Sequence, residues 1–206
     1  MPIRVLAADD HPVVREGVRA LIANEADMEV VAEAVDGEEA IALFDSHAPD
    51  VVLMDLRMPG VNGVEATRAI VAAHPDARIV ALTSYEGDAD IYRALDAGAR
   101  GYLLKDMLGT EVVSAVREVA AGKRVIPPEL AVRLSEFVTQ SRLTPRELEV
   151  LGLAARGFRN GEIAAAIGRT EATVKEHIKH VMEKLGVRDR TKAVTVALQR
   201  GIIHLE

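Results

Sequence analysis

Short apolar runs alternate with stretches of helical periodicity over the first 122 residues. Ile3–Ala8, Glu29–Ala34, Val51–Met54, Ala77–Leu82 and Gly101–Leu104 predict strands. Between them, Pro12–Ala23, Glu38–Ser46, Gly63–Ala73, Ala89–Ala97 and Thr110–Ala121 repeat apolar residues at three- and four-residue spacing, which predicts helices. Pro12 suits a first-turn position and Gly98 the residue just past a helix end. Five strand–helix repeats joined by short loops imply a parallel sheet with helices on both faces. The pattern breaks at Gly122, and Pro127-Pro128 cannot continue a helix. Leu130, Leu134 and Phe137 then mark a short amphipathic helix, and from Leu143 onward only helical periodicity remains.

The polar residues that follow the strands fall at one edge of such a sheet. Strand one delivers Asp9-Asp10, strand three Asp55, strand four Thr83-Ser84 and strand five Lys105. Ligands of open α/β sheets bind outside the carboxyl ends of the strands. A lone Asp there is more often a turn or helix cap than a reactive group; this grouping gives Asp55 a second reading. Three neighbouring carboxylates repel one another and favour a hard divalent cation with oxygen ligands. Mg²⁺, held by a few carboxylates plus water and phosphate oxygens, suits two or three Asp better than a full Ca²⁺ cage does. A central carboxylate also acts as a nucleophile toward phosphorus, with a cation and a hydroxyl to hold the phosphoryl oxygens. Neither a GxxxxGK[ST] nor a GxGxxG segment occurs, so nucleotide binding is not indicated.

Composition narrows the class. With 206 residues, 49% hydrophobic and 28% charged, the chain has room for one large or two small domains. No stretch has the roughly 20 apolar residues of a membrane span, and Met1–Ala8 does not resemble a signal peptide. A soluble, cytoplasmic protein is expected, and the absence of Cys rules out thiolate chemistry. The net charge of −7 is divided unevenly. Residues 1–141 carry 13 Lys+Arg against 24 Asp+Glu, a balance of −11, whereas residues 142–206 carry 12 against 8, a balance of +4. The second part is therefore the one suited to a polyanion.

Ala8-Asp9-Asp10, Met54-Asp55-Leu56-Arg57-Met58-Pro59-Gly60, Leu82-Thr83-Ser84 and Gly101-Tyr102-Leu103-Leu104-Lys105 occur in this order and spacing. Through them residues 1–122 resemble the receiver domain of two-component response regulators. The resemblance implies a flavodoxin-like, doubly wound, five-stranded parallel fold. It further implies that Asp55 is phosphorylated by a histidine kinase, and that Asp9, Asp10, Asp55 and the backbone carbonyl of Arg57 hold Mg²⁺. Thr83 and Lys105 would contact the phosphoryl group. Thr83 and Tyr102 would form the switch pair; Tyr102 taken alone reads rather as a packed aromatic on an edge strand, and beside Thr83 and Lys105 the resemblance favours the switch position. Arg57 and Tyr85 would flank the path of attacking water.

In the last part, Thr144-Pro145-Arg146-Glu147 opens a helix that runs to Gly157, with Thr144 as cap and Glu147 three residues on. Asn160–Ile167, a turn at Gly168, Glu171–Leu185 and Thr191–Gln199 follow, and the short helix, turn and longer helix form a helix-turn-helix. Val174, Ile178, Val181 and Leu185 should face the core, leaving Lys175 and Lys179 exposed. That exposed face is either an ordinary solvated surface or one that enters a DNA major groove. His177 and His180 lack a third ligand, so no metal site is expected there. Leu143–Glu147, Asn160–Ala164, Thr173–His177, Lys184–Val187 and Arg190–Ala193 resemble the LuxR-type helix-turn-helix of the NarL/FixJ class. The class implies base readout through Thr173, Lys175, Glu176 and Lys179, an active homodimer joined through the last helix, and a two-fold related site on double-stranded DNA. Glu176 departs from the small or apolar residue frequent there; it accepts from cytosine or repels phosphate. The expected organisation is a receiver over 1–122, a linker over 123–141 and an all-α DNA-binding domain over 142–206. Two other classes stay open at this point: an interaction module that works without phosphorylation, which a Mg²⁺-dependent phosphorylation assay separates, and a small-substrate phosphatase or phosphotransferase. The latter needs a general acid, and no candidate stands out, so an enzyme is not expected.

Overall fold

A computed structural model describes residues 1–84, 87–126 and 143–204. They fall into two units, each taken by itself. Tyr85 and the expected linker helix around Leu130, Leu134 and Phe137 lie outside the described residues.

The first unit contains β1 (Ile3–Ala8), α1 (Pro12–Ala23), β2 (Met28–Ala34), α2 (Gly37–His47), β3 (Val51–Asp55) and α3 (Gly63–Ala73). β4 (Ile79–Thr83), residues 91–96 of α4 (Asp88–Asp96), β5 (Gly101–Leu104) and α5 (Leu108–Ala120) complete it. The strands are all parallel, in the order β2-β1-β3-β4-β5. This is the flavodoxin-like arrangement, doubly wound about β1 and β3. Alternation explains the two cores. Val5, Ala7, Val51 and Leu53 point to one side, where α1 and α5 contribute Val18, Ile22, Val112 and Val116. Leu6, Ala8, Val52 and Met54 point to the other, against Ala40 and Phe44 of α2 and Ala66 and Ile70 of α3. A strand buried on both faces reads as an unbroken apolar run, which is why Val51–Met54 shows no alternation in sequence.

Several boundaries differ from the pattern-based ones, and two of the differences concern the site. β3 extends to Asp55 and β4 to Thr83, because Asp55 pairs in register with Leu82 and Thr83 with Leu104. Both residues are thus held in the ladder rather than in a loop. β4 begins at Ile79, since Ala77 is drawn into the turn that closes α3 by its bond from N–H to the His74 carbonyl (2.9 Å). α5 begins at Leu108, two residues early, after a single 3₁₀ turn at Lys105–Met107. Beyond α5, the chain turns back onto the outer edge of β5. Val125 N–H donates to the Arg100 carbonyl (2.9 Å), and Tyr102 N–H donates to the Val125 carbonyl (2.9 Å). An otherwise open sheet edge is thereby partly covered.

The second unit contains α6 (Pro145–Ala155), α7 (Asn160–Ala166), α8 (Glu171–Leu185) and α9 (Arg190–Gln199). Val150 and Ala154 of α6, Ile163 of α7, and Val174 and Ile178 of α8 share one core. Leu151, Val181, Ala193, Ala197 and Ile203 form a second. Thr144 and Glu147 make the expected capping box, and Gly168 (φ 64°) and Gly186 (φ 67°) take the left-handed backbone that the turns require. α9 starts one residue earlier than the periodicity suggests, because Asp189 accepts from Lys192 N–H (2.7 Å) and caps it.

Candidate phosphoryl-acceptor site and DNA-facing helix

The strand order reverses between β1 and β3, and the crevice that this creates lies at their carboxyl ends. Asp9 follows β1, Asp55 ends β3, and each is only 2% exposed. Lys105 comes from the residue just after β5, and its side chain is 11% exposed. Its ammonium lies between the two carboxylates, 2.7 Å from Asp9 Oδ2 and 2.8 Å from Asp55 Oδ2. Arg57 N–H donates to Asp55 Oδ1 (3.1 Å), so the turn after β3 folds back on the strand's last side chain. Gly63 closes that turn through its N–H to the Leu56 carbonyl (3.2 Å). A Cβ at Gly63 would stand 1.8 Å from the Asp55 carbonyl oxygen, so only glycine fits there. Asn62 then caps α3 in a capping box with Glu65.

Burial is the largest influence on Asp55 and pushes its carboxyl above the ordinary value. The Lys105 ammonium and the Arg57 amide oppose the rise, and the Asp9 charge adds to it. Burial acts the other way on Lys105, but two carboxylates outweigh it and raise the ammonium's pKa. A single ammonium thus serves a pocket of three carboxylates, and the pocket stays net negative.

Asp9, Asp10, His11 and Asp55 bring potential ligand atoms within 4.8 Å of one another. Asp9 Oδ2 and Asp10 Oδ1 are buried and meet ion-pair partners, Lys105 in one case and His11 Nδ1 (2.7 Å) in the other. Hard carboxylate oxygens in a net-negative pocket fit a small divalent cation. The cluster therefore is one that could bind a metal ion. His11 and Arg15 were not singled out by sequence. His11 N–H donates to Asp9 Oδ1 (2.9 Å) and Arg15 Nη1 donates to the Asp9 carbonyl (2.6 Å), so both fix the acidic pair. The only sequence signal was position: both lie on the first turn after the pair.

Thr83 ends β4, on the strand next to Asp55, and is buried. Tyr102 lies within β5, in register with Ala81, and is fully buried. Asp9, Asp55 and Lys105 are in direct contact, whereas Thr83 and Tyr102 are placed on the adjoining strands.

In the second unit, Lys175 (64% exposed), Lys179 (70%) and Glu176 lie on the open surface of α8, opposite Val174, Ile178 and Val181. Thr173 is half-buried and belongs to the helix start, where its N–H donates to Thr170 Oγ1 (3.2 Å) and its hydroxyl lies 3.0 Å from the same oxygen. α8 is fastened to α6 through Glu147. This buried carboxylate accepts from Thr144 N–H (2.7 Å) and from Lys184 Nζ (2.7 Å). Burial alone would raise its pKa, but Lys184 and Thr144 together hold it below the ordinary range.

No helix among the described residues is long and apolar enough to cross a membrane. Residues 5–117 match the family model for the response regulator receiver domain, and residues 141–197 that for bacterial regulatory proteins of the luxR family. The response regulator protein VraR of Staphylococcus aureus is 41% identical over 209 residues, covering 99% of this chain and all of that protein. A crystal structure of the response regulator ChrA, from a heme-sensing two-component system, is 42% identical with a TM-score of 0.59, covering 98% of this chain and 99% of the other. RcsB from Salmonella enterica serovar Typhimurium, bound to a promoter in the presence of the phosphomimetic BeF3⁻, is 30% identical with a TM-score of 0.73, covering 97% and 99%. The chain belongs to the response regulators and is a DNA-binding transcription regulator with a receiver domain and a LuxR-type DNA-binding domain.

Proposed function

We propose that Asp55 is the phosphoacceptor of a histidine kinase and that its phosphorylation controls dimerisation and DNA binding. The observation that carries this reading is the convergence of Asp9, Asp55 and Lys105 at one sheet edge, with Lys105 Nζ within 2.8 Å of both carboxylates. A carboxylate oxygen of Asp55 attacks phosphorus, the P–N bond to the kinase imidazole breaks, and that nitrogen leaves with the bonding pair. Asp9, Asp10, Asp55 and the Arg57 carbonyl would hold Mg²⁺, which would supply charge screening for the incoming phosphoryl group. Lys105 and Thr83 take its oxygens, and Thr83 with Tyr102 passes the change to β4 and β5. The covalent change falls on the protein itself, so the role is that of a switch rather than of a metabolic enzyme.

On this reading residues 1–122 are the receiver, 123–141 the linker and 142–206 the reader, acting where the chromosome is, in the cytoplasm. Thr173, Lys175, Glu176 and Lys179 are the residues of α8 assigned to DNA. A homodimer joined through α9 then selects a two-fold related site on double-stranded DNA. Support comes from relatives whose structures hold DNA, among them two RcsB dimers on two parallel DNAs.

Asp55→Asn keeps the shape and removes the nucleophilic charge. The variant, incubated with Mg²⁺ and either a phosphorylated histidine kinase or acetyl phosphate, should show no phosphoryl adduct by intact mass, whereas the parent should. An adduct that persists in the variant removes Asp55 from the role.

A further inference from the structure

Four charged residues of α8 stand at successive i+4 positions: Glu171, Lys175, Lys179 and Glu183, all exposed. At 1.5 Å per residue they form one stripe about 18 Å long. The stripe is paired within itself. Lys175 Nζ lies 3.0 Å from Glu171 Oε1, and Lys179 Nζ lies 3.7 Å from Glu183 Oε1. The remaining lysine of the helix, Lys184, is turned inward to Glu147. Each of the three ammonium groups on α8 therefore has a carboxylate beside it. Glu176, also exposed, leaves the outer surface with three carboxylates and two ammonium groups.

That balance is unexpected for a helix that enters a groove lined with phosphates, since non-specific DNA binding rests on unpaired positive charge. Helix stability accounts for one glutamate only. Glu171 lies in the first turn, where a carboxylate suits the helix dipole, and it precedes Lys175 in the favourable order. Glu183 lies near the C-terminal end, where a carboxylate opposes the dipole, and it follows its lysine in the weaker order. The longer Lys179–Glu183 distance agrees with that.

We propose that Glu171 and Glu183 are specificity-determining residues, holding Lys175 and Lys179 away from the phosphates of unrelated DNA. Each carboxylate competes with a phosphate for its lysine. Only a site whose base edges and phosphates fit the dimer offers the lysines more than the glutamates do. Discrimination is a difference of two affinities, and an internal competitor lowers the wrong one more than the right one. The inference rests on the reading of α8 as the DNA-contacting helix.

The test uses the full chain, treated with acetyl phosphate and Mg²⁺, and two duplexes: one selected from a random pool and one of scrambled sequence. Glu171→Gln and Glu183→Gln should each tighten binding to the scrambled duplex about two- to fivefold, the scale of an exposed ion pair. The double variant should also steepen the salt dependence on that duplex by up to about one log unit per released lysine. The ratio between the two duplexes should fall. Glu183→Gln should leave thermal unfolding unchanged or slightly higher, which separates the effect from loss of structure. Unchanged or weaker binding of the scrambled duplex by the double variant overturns the inference. Lys175→Ala with Lys179→Ala tests the underlying reading: if that variant binds both duplexes as the parent does, α8 is not the reader and the inference falls with it.

Discussion

Lys105→Met strands two buried carboxylates and should be read first as a change in stability. The ammonium lies 2.7 Å from Asp9 Oδ2 and 2.8 Å from Asp55 Oδ2. At an effective dielectric constant of about 20, each contact is worth about 6 kcal/mol of attraction. Desolvation offsets several kcal/mol per ion, and breaking such an arrangement by removing one partner costs about 3–5 kcal/mol. Methionine keeps the stem and drops the charge, so packing changes little. Asp55 is already raised by burial, and without Lys105 it moves further up. A carboxyl whose folded pKa is above its unfolded value gains relative stability as pH falls through that folded value. The gap between variant and parent should therefore be widest near neutrality and shrink as pH falls toward the ordinary carboxylate range. In the parent the ammonium competes with any divalent cation for Asp9 and Asp55; in the variant that competition is gone. Mg²⁺ at about 100 times its dissociation constant would return about 2.7 kcal/mol to the variant. Hydrogen exchange of the β1 and β3 amides reports the opening of this sheet alone, with and without Mg²⁺, at two pH values, one near neutrality and one near the ordinary carboxylate range. A loss below about 1 kcal/mol, equal at both pH values and indifferent to Mg²⁺, would refute the electrostatic account of the crevice.

Glu147→Ala removes the shared partner of Thr144 and Lys184 and should destabilise the LuxR-type unit by about 2–4 kcal/mol in thermal unfolding. Because the folded Glu147 pKa is held low, the parent keeps this contribution above the unfolded carboxyl pKa and loses it as pH falls through the folded value; Glu147→Gln should remove that acid dependence. Gly63→Ala places a Cβ 1.8 Å from the Asp55 carbonyl oxygen and should lower receiver stability by about 3 kcal/mol, measured by urea unfolding, and slow phosphorylation by moving Asp55.

The site was largely legible because its parts sit at positions that the strand pattern fixes. Once Val51–Met54 is read as a strand buried on both faces, Asp55 must lie at its carboxyl edge, and the same holds for Asp9 after Ile3–Ala8 and Lys105 after Gly101–Leu104. What the pattern does not carry is pairing between distant segments. The extension of β3 through Asp55 depends on Leu82, and the covering of β5 depends on Val125; neither leaves a periodic signal. His11 and Arg15 were passed over for a related reason. Their work is to hold the backbone and side chain of Asp9, a task open to many polar residues on a first helical turn. Glu147 was legible as a cap but not as the seat of Lys184, which lies 37 residues on, two helices later, and meets it only after folding.

The charge split has a different meaning once the helices are in place. The +4 balance of residues 142–206 encouraged a DNA reading of α8, yet α8 itself holds three lysines and three glutamates and contributes nothing to it. The remainder of that segment, with nine Lys+Arg against five Asp+Glu, carries the whole excess. Affinity for phosphate and selection among bases are thus assigned, on the proposed reading, to separate elements. On the proposed reading, exposed cations flanking α8, such as Arg169 and Arg188, would attract any duplex, while the balanced helix would gain little until its lysines find better partners than Glu171 and Glu183. For a regulator that searches a long polymer of uniform charge, that division would let attraction stay general while the proposed reading helix stays selective. It also sets an order on the salt dependence: substitution of Arg188 or Arg169 should flatten it more than substitution of Lys175, because a lysine already paired with a carboxylate releases fewer counterions when it meets a phosphate.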